Sequence, residues 1–466
     1  MGSQKSRPAP PIRLQQTSIA DIADGLKYGR FTSVDVVETY IARINQVNPE
    51  IRAISEINPE AIAIAQERDD ERADGRDRGV LHGVPVLLKD IFSTTDKLRT
   101  TVGCSGLLGA KSALEATVVK KLRESGAIIL GKTVPTQWAN YRSPSQASGG
   151  WSSVGGQCIG VFHHNQYASG SSSGSAVAAA IGLASAALGT ETAGSITNPA
   201  SRSAVVGLKP TVGLTSRYGV YCVSEWQDSA GVLAQNVKDA ALVLSAIAGV
   251  DENDTFTFAD PRDHGHPARP DEGTDFTRFC MDDGLKGLRI AVPRHVMSDD
   301  DVVTGSFNEA LKILETLGAT IVDNVEFSEW NPKYSKTDKE GWKLAFRVAI
   351  RKNMEAFLRT FSENPKQIYS LADLIEYTRI TPEERNEEFG MTEWLAAERV
   401  GSRYDESSDE FKESLRRRNR MGGQIPELLD RYDCDLILVT GATETTSNVG
   451  GCLASNLWVG GMMTGG

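Results

Sequence analysis

Behind the N-cap pair Thr32-Ser33, the apolar residues Val34, Val37, Ile41 and Ile44 recur at helical spacing. They predict an amphipathic helix over 33–46 that ends before Asn48-Pro49. Asn58-Pro59 opens a second helix, which runs to about Arg72 and gives way to the polar run "DGRDRG". The period then changes. Val84 to Leu88 is a continuous apolar run, the pattern of a buried strand, and Lys89 stands at its end. "ATVVKKLRESGAIILGKT" (116–133) reads as helix then strand, with Gly126 at the helix C-cap. The alternation returns later. "LKGLRIAVP" (285–293) is a strand, and 305–317 is a helix with Phe307, Leu311, Leu314 and Leu317 on one face. Gly318 stops that helix, and Ala319 to Val322 is the next strand. Residues 251–275 are a polar surface loop. Residues 335–430 are charged and helix-favouring, and are expected to form a cap that lines the substrate site. Residues 1–28 read as a polar N-terminal tail, and 29–466 as one large α/β domain.

Composition narrows the classes. Fifty basic against 61 acidic residues leave a formal charge of −11, which argues against a nucleic-acid surface. Cys104, Cys158, Cys222, Cys280, Cys434 and Cys452 contain no C-x-x-C pair. They read as reduced thiols of an intracellular, cytoplasmic protein, neither a disulfide frame nor a zinc site. The pairs His163-His164 and His264-Gly-His266 have no cluster of partner ligands at metal spacing and read as solvated loop residues. No apolar run approaches the ~20 residues of a membrane span. The start "MGSQKS" fits the short N-myristoylation pattern, with Gly2 and Ser6 in place.

Ala168 to Ser201, "ASGSSSGSAVAAAIGLASAALGTETAGSITNPAS", holds eight serines and five glycines in 34 residues. Ser169 to Gly174 suits a tight turn whose backbone NH groups face a site. Ala176 to Ala184 forms a small-residue helix, and Leu188 to Gly194 a short strand running into a second glycine turn at Ser195. A Gly/Ser linker would not be followed so tightly by apolar helix and strand. A serine nucleophile needs a base and an oxyanion hole. "GSSSG" (170–174) formally matches the nucleophile elbow with Ser172 as nucleophile, but that arrangement wants a late histidine, and none follows His295. Lys89 is the other candidate base, because desolvation at the end of an apolar strand favours its neutral form. Equally, it reads as an ordinary strand-end lysine paired with Asp90. The residues alone leave both readings open.

"GVPVLLKD" followed by "GSSSGSAVAAAIGLASAALGTETAGSITNPASRSAVVGLKPT" strongly resembles the amidase signature family, over roughly Thr32 to Val250. The resemblance implies a single domain with a central mixed β-sheet flanked by helices, and a catalytic core over 80–250. It also implies a Lys–cis-Ser–Ser triad of Lys89, Ser171 and Ser195, Ser195 being the nucleophile. The implied oxyanion hole is the backbone NH groups of Thr192, Ala193, Gly194 and Ser195. The activity expected is acyl transfer from a small-molecule amide through a serine acyl-enzyme, with no metal or cofactor. The alternatives are the amidase subunit of a tRNA-dependent amidotransferase and an inactive relative.

Three residues depart from the family's motif. Glu191 stands where Asp is usual, Ala193 replaces the first glycine of G-G-S, and Thr197 replaces an Arg that would pair with the acidic residue. Ala193 is expected to be tolerated with a negative φ, and Glu191 must find another partner. The end of the chain, "YDCDLILVTGATETTSNVGGCLASNLWVGGMMTGG", resembles the family's late segment but stops where the family continues. The expectation is a core sheet lacking its C-terminal strands, with Met462-Met463 near a raw edge and homo-oligomerisation as a consequence.

Overall fold

The computed structural model describes residues 14, 15, 17–143, 149–258, 275–329 and 336–440. Gly2, the His264/His266 pair, Cys452 and the expected raw edge at Met462-Met463 lie outside these residues.

The main sheet is six-stranded and mixed. Its strands are β1 (Ile54–Ile57), β2 (Pro85–Lys89), β3 (Ile128–Thr133), β4 (Ala186–Glu191), β5 (Val206–Leu208) and β6 (Ser229–Ala234), in the order β1-β3-β2-β4-β6-β5. β3, β2 and β4 are parallel; β1 on one side and β6 and β5 on the other pair antiparallel. All five residues of β2 are buried, as its unbroken apolar run requires of a central strand. A later unit builds its own parallel sheet from β7 (Arg289–Val292), β8 (Thr320–Asp323) and β9 (Leu436–Ile437), with β7 in the middle.

Several expected boundaries shift. Residues 1–28 are not all tail: α1 (Ile19–Lys27) is capped by Ser18 and Asp21 in a capping box and buries Ile19, Ile22 and Leu26. Asp239 accepts from the Ile19 backbone NH (3.1 Å), tying this helix to α7 (Val237–Ile247). The short apolar triad in a polar run hides it from sequence reading. α2 (Ser33–Ile51) starts at the expected Thr32 cap but runs through Pro49. Its end is set by Arg52 in the left-handed region (φ 53°) and by the Asn48 side chain, which both donates to and accepts from the Ile54 backbone (2.9 and 2.8 Å). α3 (Ala61–Ala73) and α4 (Thr117–Glu124) fall where the pattern puts them, and Gly126 takes a φ of 82°.

The serine-rich stretch forms α5 (Ser173–Ala180), which begins earlier than expected, then β4, then α6 (Thr197–Arg202). A Cβ on Gly174 would lie 2.1 Å from the Ala53 carbonyl oxygen, so only glycine lets α5 approach β1 and β3 this closely. The helix expected at 305–317 is part of α8 (Asp301–Thr316). Residues 336–432 are mostly helical, in α9 (Lys336–Leu358), α10 (Leu371–Ile380), α11 (Asn386–Phe389), α12 (Thr392–Gly401) and α13 (Asp409–Tyr432), with one short strand at Phe361–Glu363 that pairs with Lys111–Ser112.

One buried ion pair fastens this helical region to the core. Glu384, fully buried between α10 and α11, accepts from the Ser105 NH (3.0 Å) and hydroxyl (2.6 Å), the Ser153 hydroxyl (2.8 Å) and the Gln137 amide (2.7 Å). Its Oε2 also pairs with Arg142 at 3.3 Å. Glu384→Gln leaves the Arg142 cation buried without its counter-charge, a loss of about 3–5 kcal/mol. Urea unfolding followed by tryptophan fluorescence measures it. An unchanged midpoint would mean that the pair is not what joins the two regions.

Candidate active site

The site assembles at the C-terminal ends of β2 and β4. The ladder between them stops at Leu88↔Leu188. Beyond that point, Lys89 is fully buried and its Nζ lies 2.8 Å from Ser171 Oγ, 2.9 Å from Thr190 Oγ1 and 3.3 Å from the Thr190 carbonyl oxygen. Burial pushes the Lys89 ammonium down to about 7, against the carboxylates of Asp228 and Glu191, which act the other way. Asp90 is not its partner. Asp90 Oδ1 accepts from the Thr101 NH (2.9 Å), and its nearest cationic influence is Lys132.

Ser171 follows a cis Gly170–Ser171 peptide bond, and its carbonyl accepts from the Thr136 NH (2.9 Å). The next residue links the two serine turns, because the Ser172 NH donates to the Ser195 carbonyl (2.9 Å). Lys89 and Ser171 are thus in direct hydrogen-bond contact, and the turn that carries Ser195, itself 5% exposed, is tied to the residue after Ser171. Ser172, the elbow candidate, is fully buried, and its hydroxyl is engaged with the Thr190 NH (3.3 Å) and carbonyl (3.2 Å). It serves the sheet.

The turn 192–195 is organised around Glu191. Glu191 finds the partner that the missing Arg would have supplied in the backbone itself. Its Oε1 accepts from the Gly194 NH (2.8 Å), and its Oε2 from the NH groups of Ile196 (2.7 Å) and Thr197 (2.9 Å). The Thr197 hydroxyl adds a contact at 3.2 Å. The Gly194 NH is therefore engaged by Glu191 in this structure. The NH groups of Thr192, Ala193 and Ser195 make no hydrogen bond among the described residues. Gly194 takes a φ of 77°, whereas Ala193 is not in the left-handed region, which is why alanine is accepted there.

Four residues that sequence reading did not single out stand at or beside the site. Asp228 is buried, accepts from the Val223 NH (2.6 Å), and faces the Thr192 hydroxyl; burial raises its carboxyl above the usual range. Tyr141 faces the same hydroxyl, and burial raises its phenol. Phe346 of α9 packs against Tyr141 with ring centroids 4.8 Å apart, bringing the helical region next to the site. These residues stand far apart in sequence, in segments without a motif. Thr190 is the exception, lying inside the resembling stretch yet looking like any strand threonine.

His163 and His164 are exposed in a turn, as expected, and among the described residues no histidine, cysteine and carboxylate cluster could hold a metal. Among the same residues, no helix is long and apolar enough to cross a membrane.

At the ends of two strands of a mixed sheet, then, a buried lysine is hydrogen-bonded to a serine, and a glycine turn carrying a second serine is tied to the same segment. A family profile for amidases matches residues 35–450. The chain belongs to the amidase family, the amidase signature enzymes. It is 41% identical over 401 residues to a protein of Arthroderma benhamiae named "Putative amidase", covering 81% of this chain and 65% of that relative's length. It is 35% identical over 312 residues to a glutamyl-tRNA(Gln) amidotransferase subunit of Halorhodospira halophila, over 66% of this chain and 60% of that one. Among solved structures, peptide amidase from Stenotrophomonas maltophilia matches with a TM-score of 0.84 at 32% identity, over 95% of this chain and 90% of that one.

Proposed function

We propose that the protein hydrolyses the C–N bond of a small or medium-sized linear carboxylic acid amide through a Ser195 acyl-enzyme. The observation that carries this reading is the fully buried Lys89 amine 2.8 Å from Ser171 Oγ, in a turn tied directly to Ser195. Neutral Lys89 takes the Ser171 proton as Ser171 takes that of Ser195, and Ser195 Oγ attacks the amide carbonyl. The oxyanion is met by the NH groups of Thr192, Ala193 and Ser195, the Gly194 NH being held by Glu191. Ser171 then protonates the leaving amine, the C–N bond breaks, and water attacks the ester to release the acid and regenerate Ser195. A screen of amides and esters for released amine or alcohol tests the activity. Ammonia release from glutamine, with co-purifying partner proteins, would instead favour a role within an amidotransferase.

The reaction needs Lys89 neutral, and burial sets its pKa at about 7. kcat/KM, which reports the free enzyme, therefore rises with pH through about 7 and levels off above it. A profile that falls across this range would contradict the lysine base.

A further inference from the structure

Thr190 makes four hydrogen-bond contacts at the end of β4. On one side it pairs with Ala230 of β6. On the other, the ladder to β2 has ended at Leu188, so no strand takes up the Thr190 NH and carbonyl. Ser172 Oγ accepts from the NH (3.3 Å) and donates to the carbonyl (3.2 Å). Lys89 Nζ approaches the same carbonyl at 3.3 Å and the Thr190 hydroxyl at 2.9 Å. The fold thus ends a ladder one step early, and the space this leaves holds an amine.

The proton count then decides the geometry. A neutral lysine amine has two N–H bonds and one lone pair, and three oxygens surround Lys89 Nζ. The Thr190 carbonyl can only accept. If the Thr190 hydroxyl accepts the second N–H, the lone pair is left facing Ser171 Oγ, the remaining neighbour. When Lys89 carries the third proton, the same three oxygens accept all three N–H bonds, so the proton moves between Lys89 and Ser171 without either heavy atom shifting. From this geometry we infer that Thr190 is a positioning residue, which occupies both N–H bonds of neutral Lys89 and so aims its lone pair at Ser171.

This inference rests on the proposed lysine–serine mechanism, so its test carries controls for that mechanism. Labelling by a fluorophosphonate forms the Ser195 Oγ–P bond, breaks P–F and sends the serine proton toward Lys89; its limiting rate and half-saturation concentration are measured against pH. In Thr190→Val the limiting rate falls about tenfold to a hundredfold, a part of the roughly 10²–10⁴-fold that a positioned base contributes, while half-saturation is unchanged. The pH limb also moves down, because the valine removes an acceptor that stabilised the ammonium form. Asp228 and Glu191, the carboxylates that face Lys89, are untouched by the change, and Lys132 is directed away toward the Phe92 carbonyl (2.7 Å). Thr190→Ser keeps the hydroxyl and restores both the rate and the limb. A Thr190→Val enzyme with wild-type rate overturns the inference. So does a rate loss that leaves the limb in place or that Thr190→Ser shares, since either marks a packing effect. Ser195→Ala and Lys89→Met separate the two levels: if they still label normally, the underlying mechanism fails; if they abolish labelling while Thr190→Val is normal, only the role of Thr190 fails.

Discussion

Ser195→Ala abolishes fluorophosphonate labelling and lowers kcat by about 10⁵–10⁶-fold, the scale on which removing the nucleophile of a triad acting as a unit is felt. The fold is expected to persist, because the contact holding this turn runs through the Ser195 carbonyl to the Ser172 NH at 2.9 Å, and alanine keeps that carbonyl. Thermal unfolding of the variant checks this. Labelling that survives and maps to Ser172 would revive the elbow assignment, against the burial of Ser172 and its engagement with Thr190.

The second large effect belongs to Lys89. Lys89→Met fills the buried space with an apolar chain of similar length and removes the base, so acylation falls by about 10²–10⁴-fold. Lys89→Arg retains a cation but does not rescue, because guanidinium stays protonated at any working pH and would carry its charge into a fully buried position. The two variants separate the need for a base from the need for a positive charge. Substantial turnover in the arginine variant, measured as amine release or labelling rate, would show that Lys89 acts as a charge.

What the sequence made legible, and what it did not, follows from how locally each feature is encoded. The buried strand ending in Lys89 announces itself as an apolar run with a cation at its end. The helix starting at Thr32 is equally plain, since its cap and its apolar spacing lie within one window. The serine turns were readable through resemblance, yet the use of the NH groups in 192–195 was not. Whether the Gly194 NH is engaged depends on where the Glu191 carboxylate folds back, which is settled only in three dimensions. α1 was missed because three large apolar residues in a polar context carry little periodic signal. The Arg142–Glu384 pair joins residues 242 positions apart, and no local pattern marks either as buried. Asp228 and Tyr141 belong to the same class: their importance lies in what they face.

The most direct test of the central claim is a mass measurement on the enzyme quenched in acid during turnover of an amide or ester substrate, followed by peptide mapping. The account predicts an adduct of the acyl mass on the peptide containing Ser195, absent in Ser195→Ala and accumulating below pH of about 7 more slowly than above it, as neutral Lys89 becomes scarce. Turnover with no covalent adduct on trapping, or an adduct on any residue other than Ser195, would contradict it.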